Sequence, residues 1–413
     1  MKILQIAPYT TCNDVPLLSQ CKSGFGYMTY DIAHALAKEA EVDELLYNYR
    51  YNEFEHGGIR FVANTVKLHL KEIIKCSNPL MPLKLWWKYR MQLRTFVRLV
   101  YIWLISGHFY DVIKNGKYDI VHIHGCHIYD EILMDVCRRA NQKYVVTLHG
   151  LDSFSDSVVL ERAGKQYERD FLQRVANGEF PITVISTGIK RIIENTYKIK
   201  DIPNLFVVCN AFSFSDALGG AILDIRKKYG IPADAKLILY VGNLCRRKNQ
   251  GQLIESFPLL PSQLAEETYV LFMGRRLEED YSIDALSDGN EYKDHFVECG
   301  NIDKELMPTY YQQGNVVALL SVSEGFGLGL IEGMHYGLPC ISFDDIDAFE
   351  DVYNSNAMVG VSEHDNNAVA KGLQVLLTKE WDKAKIIEAS RKFEPKKMAE
   401  SYLTCFNQIT SGL

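Results

Sequence analysis

Two series of short apolar runs, each separated from the next by loop and helix-length stretches, constrain this chain more than anything else in it. The first series holds Lys2–Ala7, Ile120–Ile123, Tyr144–Leu148 and Ile182–Ile185. The second holds Leu237–Val241, Tyr269–Met273, Phe296–Val297, Val316–Leu320 and Cys340–Phe343. Runs rich in β-branched and aromatic residues, with little polar alternation, suit strands buried on both faces. Strands alternating with helices call for a parallel, doubly wound α/β sheet. A chain of 413 residues is also longer than one hydrophobic core can organise, so two such domains are expected. The stretch 210–220, with Ser, Asp and a Gly pair, reads as the linker. The expected division is 1–207, 208–395 and a final helical segment, 396–413, whose periodic part runs from Lys396 to Ile409.

Composition narrows the function. At net charge −7 the chain is unsuited to general nucleic-acid binding. Its ten cysteines are scattered with no C-x-x-C pair, which argues against a zinc knuckle or a disulfide framework and fits a reducing compartment. The opening run Lys2–Ala7 ends at Pro8 and is too short for a signal peptide, and no clean apolar run is read as membrane-spanning. One segment departs from the acidic average. Read as a single helix, Pro82–Ser106 places Lys84, Lys88, Arg94 and Arg98 on one third of the circumference, with Arg90 at its border. Leu85, Trp86, Leu93, Phe96, Val97, Val100, Trp103 and Leu104 fall opposite. That pattern suits a helix lying on an anionic membrane. A helix packed on the first domain with a solvated basic face would show it too. Lys67, Lys71 and Lys75 extend the basic cluster upstream.

The densest motif is Ser321–Pro339, where an apolar run passes through a glycine-rich turn into a short helix flanked by Glu324 and Glu332. A glycine loop opening a helix presents free N–H groups and the positive end of a dipole, a setting for phosphates. Carboxylates beside it can accept from hydroxyls. Together they suit a ligand with both, a sugar nucleotide. Gly325-Phe-Gly327 has the start of a dinucleotide fingerprint, but Leu330 holds the third glycine position and the motif lies late in the chain, which argues against a nicotinamide or flavin.

The run Glu324-Gly-Phe-Gly-Leu-Gly-Leu-Ile-Glu332, followed by Gly337-Leu-Pro339, closely resembles the signature of family 4 retaining glycosyltransferases. Those enzymes have the GT-B fold, two Rossmann-like doubly wound domains facing across a cleft. Val241-Gly-Asn-Leu-Cys-Arg-Arg-Lys-Asn249 resembles the same family's G-R-L-x-x-x-K-G. Lys248 takes the phosphate lysine's position, Asn243 stands where the family has arginine, and Arg246 or Arg247 could supply the second charge. The resemblance implies that Glu332 accepts from ribose hydroxyls and Glu324 from a donor-sugar hydroxyl. Gly325, Phe326, Gly327 and Leu328 would complete the donor contacts, and Gly300-Asn-Ile302 would meet the base. His149, in a His-Gly pair, would face the donor sugar, making His149, Glu324 and Lys248 the groups nearest the reaction. Gly24, Phe25, Gly26 and His124 would lie on the acceptor side. Strand-end histidines lining a cleft also account for His122, His124 and His127 better than a metal does.

Cys209-Asn210-Ala211 and Gly274-Arg-Arg276 depart from the family's Pro-Asn-Gly and G-x-G. Asp345-Ile-Asp347 has the letters of a metal motif but is expected beyond the helix, on the far side of the glycine loop. The resemblance implies metal-independent transfer of a hexosyl group with retention, from a nucleotide-diphosphate sugar to a glycan or lipid-linked acceptor. No resident cofactor is implied. Cell-surface polysaccharide or glycoconjugate synthesis would be the setting, in the cytoplasm or peripherally on the membrane's inner face. A sugar-nucleotide epimerase or phosphorylase of the same fold, or a non-catalytic scaffold, are the alternatives.

Overall fold

The protein is described by a computed structural model covering residues 1–65, 73, 76–154, 161–212 and 223–412. Lys67, Lys71 and Lys75, and most of the expected linker, lie outside these residues. The chain divides into two units, Met1–Asn210 with Pro395–Leu413, and Ala211–Glu394.

The strands of the first unit are β1 (Lys2–Ala7), β2 (Glu41–Leu46), β3 (Phe54–His56), β4 (Ile59–Phe61), β5 (Ile120–His124), β6 (Tyr144–Leu148), β7 (Ile182–Val184) and β8 (Leu205–Val207). They form one sheet in the order β3-β4-β2-β1-β5-β6-β7-β8, in which the β3–β4 pair alone is antiparallel. The chain winds outward from β1 in both directions, so the loops after β1 and β5 splay apart at the strands' C-terminal ends, the ligand position of such sheets.

β2 is absent from the apolar series because its sequence, Glu-Val-Asp-Glu-Leu-Leu, carries three acids. Long-range partners accommodate two of them. Asp43 is buried against the Arg60 guanidinium and accepts from the Tyr118 hydroxyl at 2.6 Å. Glu44 lies opposite Gln5 of β1, whose amide donates to it at 3.3 Å.

Pro82–Ser106 is not one helix. It forms Met81–Tyr89 and Leu93–Leu104, broken at Arg90, which takes a left-handed conformation (φ 49°). The break rotates the second helix relative to the continuous wheel. Tyr89, Met91, Leu99 and Ile102 are buried, while Trp86, Leu93 and Val97, expected on the covered side, are exposed. A third helix, Ser106–Gly116, follows directly. The stretch Leu93–Gly116 is long and apolar enough, by length and composition, to cross a membrane, which corrects the expectation that no run qualifies. Leu99, Ile102, Phe109 and Ile113 are nonetheless buried in the unit, and the chain enters the inner strand β5 soon after. The last helix, Pro395–Ser411, packs with the first unit, its Tyr402 and Phe406 rings 5.1 and 5.2 Å from the His122 ring.

The second unit holds β9 (Lys236–Val241), β10 (Thr268–Met273), β11 (Phe296–Gly300), β12 (Val316–Leu319), β13 (Cys340–Phe343) and β14 (Met358–Val361). Their order, β11-β10-β9-β12-β13-β14, is wholly parallel. Counted from β9 this is 3-2-1-4-5-6, the Rossmann order, with the switch point between β9 and β12.

Candidate active site

The β9 and β12 loops meet at that switch point. The helix Leu328–His335 after β12 begins at Gly327, which is left-handed (φ 83°), a conformation glycine adopts without steric cost. Gly329 and Gly333, one turn apart, face the sheet. A Cβ on them would lie 3.2 Å from Val241 and 2.5 Å from Val317, so both glycines let this helix sit close on β9 and β12. Of the motif's glycines, Gly327 and Gly337 (φ 77°) thus turn the chain at the two ends of the helix, while Gly329 and Gly333 seat it on the sheet.

Lys248, in the turn Arg246–Lys248 after β9, forms an ion pair with Glu324, and each side chain is less than one-sixth exposed. Burial alone would raise the Glu324 pKa. The Lys248 charge and hydrogen bond, with help from Arg247 and the Gly327 N–H, outweigh it and hold the carboxyl below its ordinary value. Arg247 reaches the same loop: its guanidinium donates to the Ser323 carbonyl at 2.8 Å, and its own carbonyl accepts from Val322 at 2.9 Å. Arg246 lies elsewhere, in an exposed pair with Glu278 and Asp280. The Asn243 side chain accepts from the Arg275 N–H at 3.2 Å, tying the β9 loop to the β10 loop. Those loops approach closely, since a Cβ on Gly274 would fall 2.1 Å from the Gly242 carbonyl oxygen. Gly300, also left-handed (φ 70°), accepts from Gly274 at 2.9 Å, and Ile302 lies just beyond.

Glu332, in the second turn of the helix, accepts from the Tyr311 hydroxyl at 2.6 Å. The Phe326 ring is buried edge-on to Phe393 at 5.8 Å, so only the backbone of this residue is left to meet a ligand, while the Gly327 N–H is already turned to Glu324. Asp347 corrects an expectation. Asp345-Ile-Asp347 follows β13 directly, and the Asp347 N–H donates to the Glu324 carbonyl at 3.2 Å, so it borders the glycine loop. Burial, then the Glu324 and Asp345 charges, raise its carboxyl to about 6.

Sequence reasoning passed over Tyr240. Its phenol, buried in β9, accepts from the Leu320 N–H at 2.9 Å and donates to the Lys248 carbonyl, fastening the lysine turn to the end of β12. A tyrosine two positions before the glycine of a strand-to-loop turn was the available signal.

The first unit's strand ends carry different chemistry. His124 closes β5 and His149 follows β6, with His124 Nδ1 and His149 Nε2 3.0 Å apart. Burial lowers both pKa values, His149 to about 4, so the bond joins two neutral rings and one N–H donates to the other nitrogen. Phe25 meets the His149 ring edge-on at 4.9 Å and Tyr9 contacts Phe25 at 5.4 Å. The Ser23 hydroxyl accepts from Gly26 at 3.0 Å, capping the helix Gly24–Leu36 that presents this loop. The structure therefore gathers Phe25, His124 and His149, and separately Lys248, Arg247 and Glu324. His122 is drawn into the sheet, 2.6 Å from the Thr147 hydroxyl.

Residues 222–393 match the family model of glycosyl transferases group 1. A D-inositol 3-phosphate glycosyltransferase from Xylanimonas cellulosilytica is 26% identical over 193 residues, 45% of this chain and 45% of its own length. An alpha-monoglucosyldiacylglycerol synthase from Acholeplasma laidlawii is 23% identical over 248 residues, 56% of this chain and 61% of its own. The chain thus spans about half the length of these curated relatives. A solved sucrose-phosphate synthase from Thermosynechococcus elongatus aligns over 100% of both chains with a TM-score of 0.70 and 19% identity, a likeness of fold, which is GT-B.

Proposed function

We propose that this chain, a glycosyl transferases group 1 protein by its residues 222–393, transfers a hexosyl group with retention and without a metal from a nucleotide-diphosphate sugar. The acceptor would be a glycan or a lipid-linked molecule; one relative is named as the synthase of a glycolipid, alpha-monoglucosyldiacylglycerol. One observation carries this reading: a largely buried lysine–glutamate pair sits at the switch point of the 3-2-1-4-5-6 sheet, beside a glycine-opened helix. Without donor, Glu324 neutralises Lys248. With donor, the ammonium turns to the diphosphate and the released carboxylate accepts from a sugar hydroxyl. Lys248, Arg247 and the helix N-terminus then face the negative charge that grows on the leaving diphosphate. In front-face transfer the bond from the anomeric carbon to the phosphate oxygen breaks and the bond to the acceptor oxygen forms on the same face. The acceptor's proton passes to the departing phosphate, so no protein nucleophile is required. Glu332 would hold ribose hydroxyls, and the family resemblance gives His149 the role of lining the sugar.

The test is turnover of a panel of nucleotide sugars, with and without acceptor, in the presence of a chelator. Donor consumption that Glu332→Ala abolishes in a folded protein supports the reading. Isomerised donor would indicate an epimerase, a strict need for phosphate a phosphorylase, and no consumption of any donor a scaffold. Loss of turnover in chelator would move attention to Asp345 and Asp347.

A further inference from the structure

The helices Met81–Tyr89 and Leu93–Leu104 carry the largest unexplained surface feature of the described residues. Trp87 is 83% exposed and Leu93 70%, with Leu83 and Val97 more than half exposed. Leu83 and Trp87 lie one turn apart on the first helix, as do Leu93 and Val97 on the second. Cations interleave with them. Lys84, Arg90 and Arg94 are exposed and have no carboxylate partner among the described residues, in a chain whose net charge is −7. The neighbouring acids are occupied: Asp170 holds Lys88 and the Tyr89 hydroxyl, and Glu161 holds the Gln92 N–H and Thr95.

We propose that this two-helix face docks on an anionic lipid surface, with Leu83, Trp87, Leu93 and Val97 entering the interface and Lys84, Arg90 and Arg94 meeting phosphates. An aqueous face gains nothing from a nearly bare indole, and a bilayer interface accommodates both indole and basic side chains. A second copy is a poor occupant. A two-fold contact through this face would set the three unpaired cations against their own copies. The helices dock on the face and do not cross, because Leu99 and Ile102 are committed to the unit's core. The location also fits. Arg98 donates to Asn48, just past β2, at 2.8 Å and lies over the Tyr129 ring, just past β5, at 5.0 Å. The face is therefore anchored to the C-terminal edge of the sheet, where Phe25, His124 and His149 lie. A lipid-linked acceptor held in the bilayer would be presented on that side of the unit.

The experiment is co-sedimentation of the full chain with vesicles of equimolar phosphatidylglycerol and phosphatidylcholine, and with phosphatidylcholine alone. It needs no enzymatic activity, so its outcome is independent of the transferase reading. Binding is expected on the anionic vesicles only. Lys84→Gln with Arg94→Gln should weaken it about thirtyfold, taking about 1 kcal/mol per charge. Trp87→Ser should weaken it and abolish the lipid-induced blue shift of fluorescence. All three positions are exposed, and an unchanged thermal transition will show that the variants fold. Equal binding to neutral vesicles, binding unchanged by charge removal, or a soluble dimer that Trp87→Ser dissociates would each overturn the proposal.

Discussion

The two sheets share a winding plan, yet the C-terminal edges of their strands are chemically opposite. In the second unit the edge is ionic: Lys248 against Glu324, with Arg247 bound to the same loop. In the first unit it is neutral and aromatic: His124 against His149, Phe25 and Tyr9. The same contrast recurs in two buried glutamates. Glu324 has a cation, and its pKa is lowered despite burial. Glu44 has none, and burial raises it to about 8. A doubly wound sheet fixes where a ligand sits, and the side chains at the switch point decide whether that place holds an anion or a hydroxyl.

The sharpest way to break the contrast is Lys248→Ala. Under the proposed function it removes the cation facing the leaving diphosphate and strands Glu324 beside Asp347. Turnover should fall about a thousandfold, in the range found when one preorganised charge-stabilising group is removed. Steady-state kinetics with the preferred donor would check it, and a loss below tenfold would remove Lys248 from the phosphate role. On the neutral edge, His149→Ala should cost less, about 2 kcal/mol or roughly thirtyfold, because one hydrogen bond to a neutral hydroxyl is at stake. If His149→Ala were the more damaging of the two, the ionic edge would not be where the reaction's charge is handled.

The glutamate pair gives a stability test. Glu44 Oε2 and Gln5 Oε1 are both buried without a partner. An amide at position 44 could donate to Gln5 and would carry no charge to desolvate. Glu44→Gln should therefore raise stability at pH 7 by on the order of 2 kcal/mol, measured by denaturant unfolding. The pH dependence has two opposing parts. Glu44 titrates near 4.5 unfolded and about 8 folded, so its contribution is full below 4.5 and declines as pH rises toward 8. Burial lowers His122 to about 3 and His127 and His149 to about 4. Below 6.5 the unfolded chain binds protons these rings refuse, so stability falls with acid, about 1.4 kcal/mol per histidine per pH unit. Asp130, raised to about 7 by burial, and Asp347 act in the same direction as Glu44, so Glu44→Gln removes one opposing contribution and the loss between pH 6.5 and 5 should become steeper. A loss no steeper than that of the unsubstituted protein would contradict the raised Glu44 pKa.

Legibility in the sequence follows the range of the interactions that decide each feature. The glycine loop could be read because a left-handed turn and a helix pressed on a sheet are local demands that glycine meets. The apolar strands could be read because burial on both faces leaves a continuous run. β2 could not, since Asp43 and Glu44 look like surface residues until Arg60, Tyr118 and Gln5 are folded against them. The break at Arg90 was equally hidden: its left-handed backbone occupies a position that propensity assigns to helix. Tyr240 lies inside an apolar run, and its hydroxyl gains meaning only from Leu320, eighty positions away.

The smallest expected effect separates adjacent arginines. Arg246 and Arg247 are indistinguishable in the sequence and both were candidates for the second phosphate charge. The fold gives them different neighbours. Arg247 donates to the Ser323 carbonyl, next to Glu324, and its side chain has only to rotate to reach a phosphate held by Lys248. Arg246 is exposed and engaged by Glu278 and Asp280, two acids that would have to be left unpaired to free it. Arg247→Ala should raise the donor KM about tenfold, the value of one charge-assisted hydrogen bond of about 1.5 kcal/mol. Arg246→Ala should leave KM within about twofold, since exposed ion pairs contribute little. The reverse result would mean that donor binding pulls Arg246 from its acids, and the ionic edge would then extend to the outer side of the β9 loop.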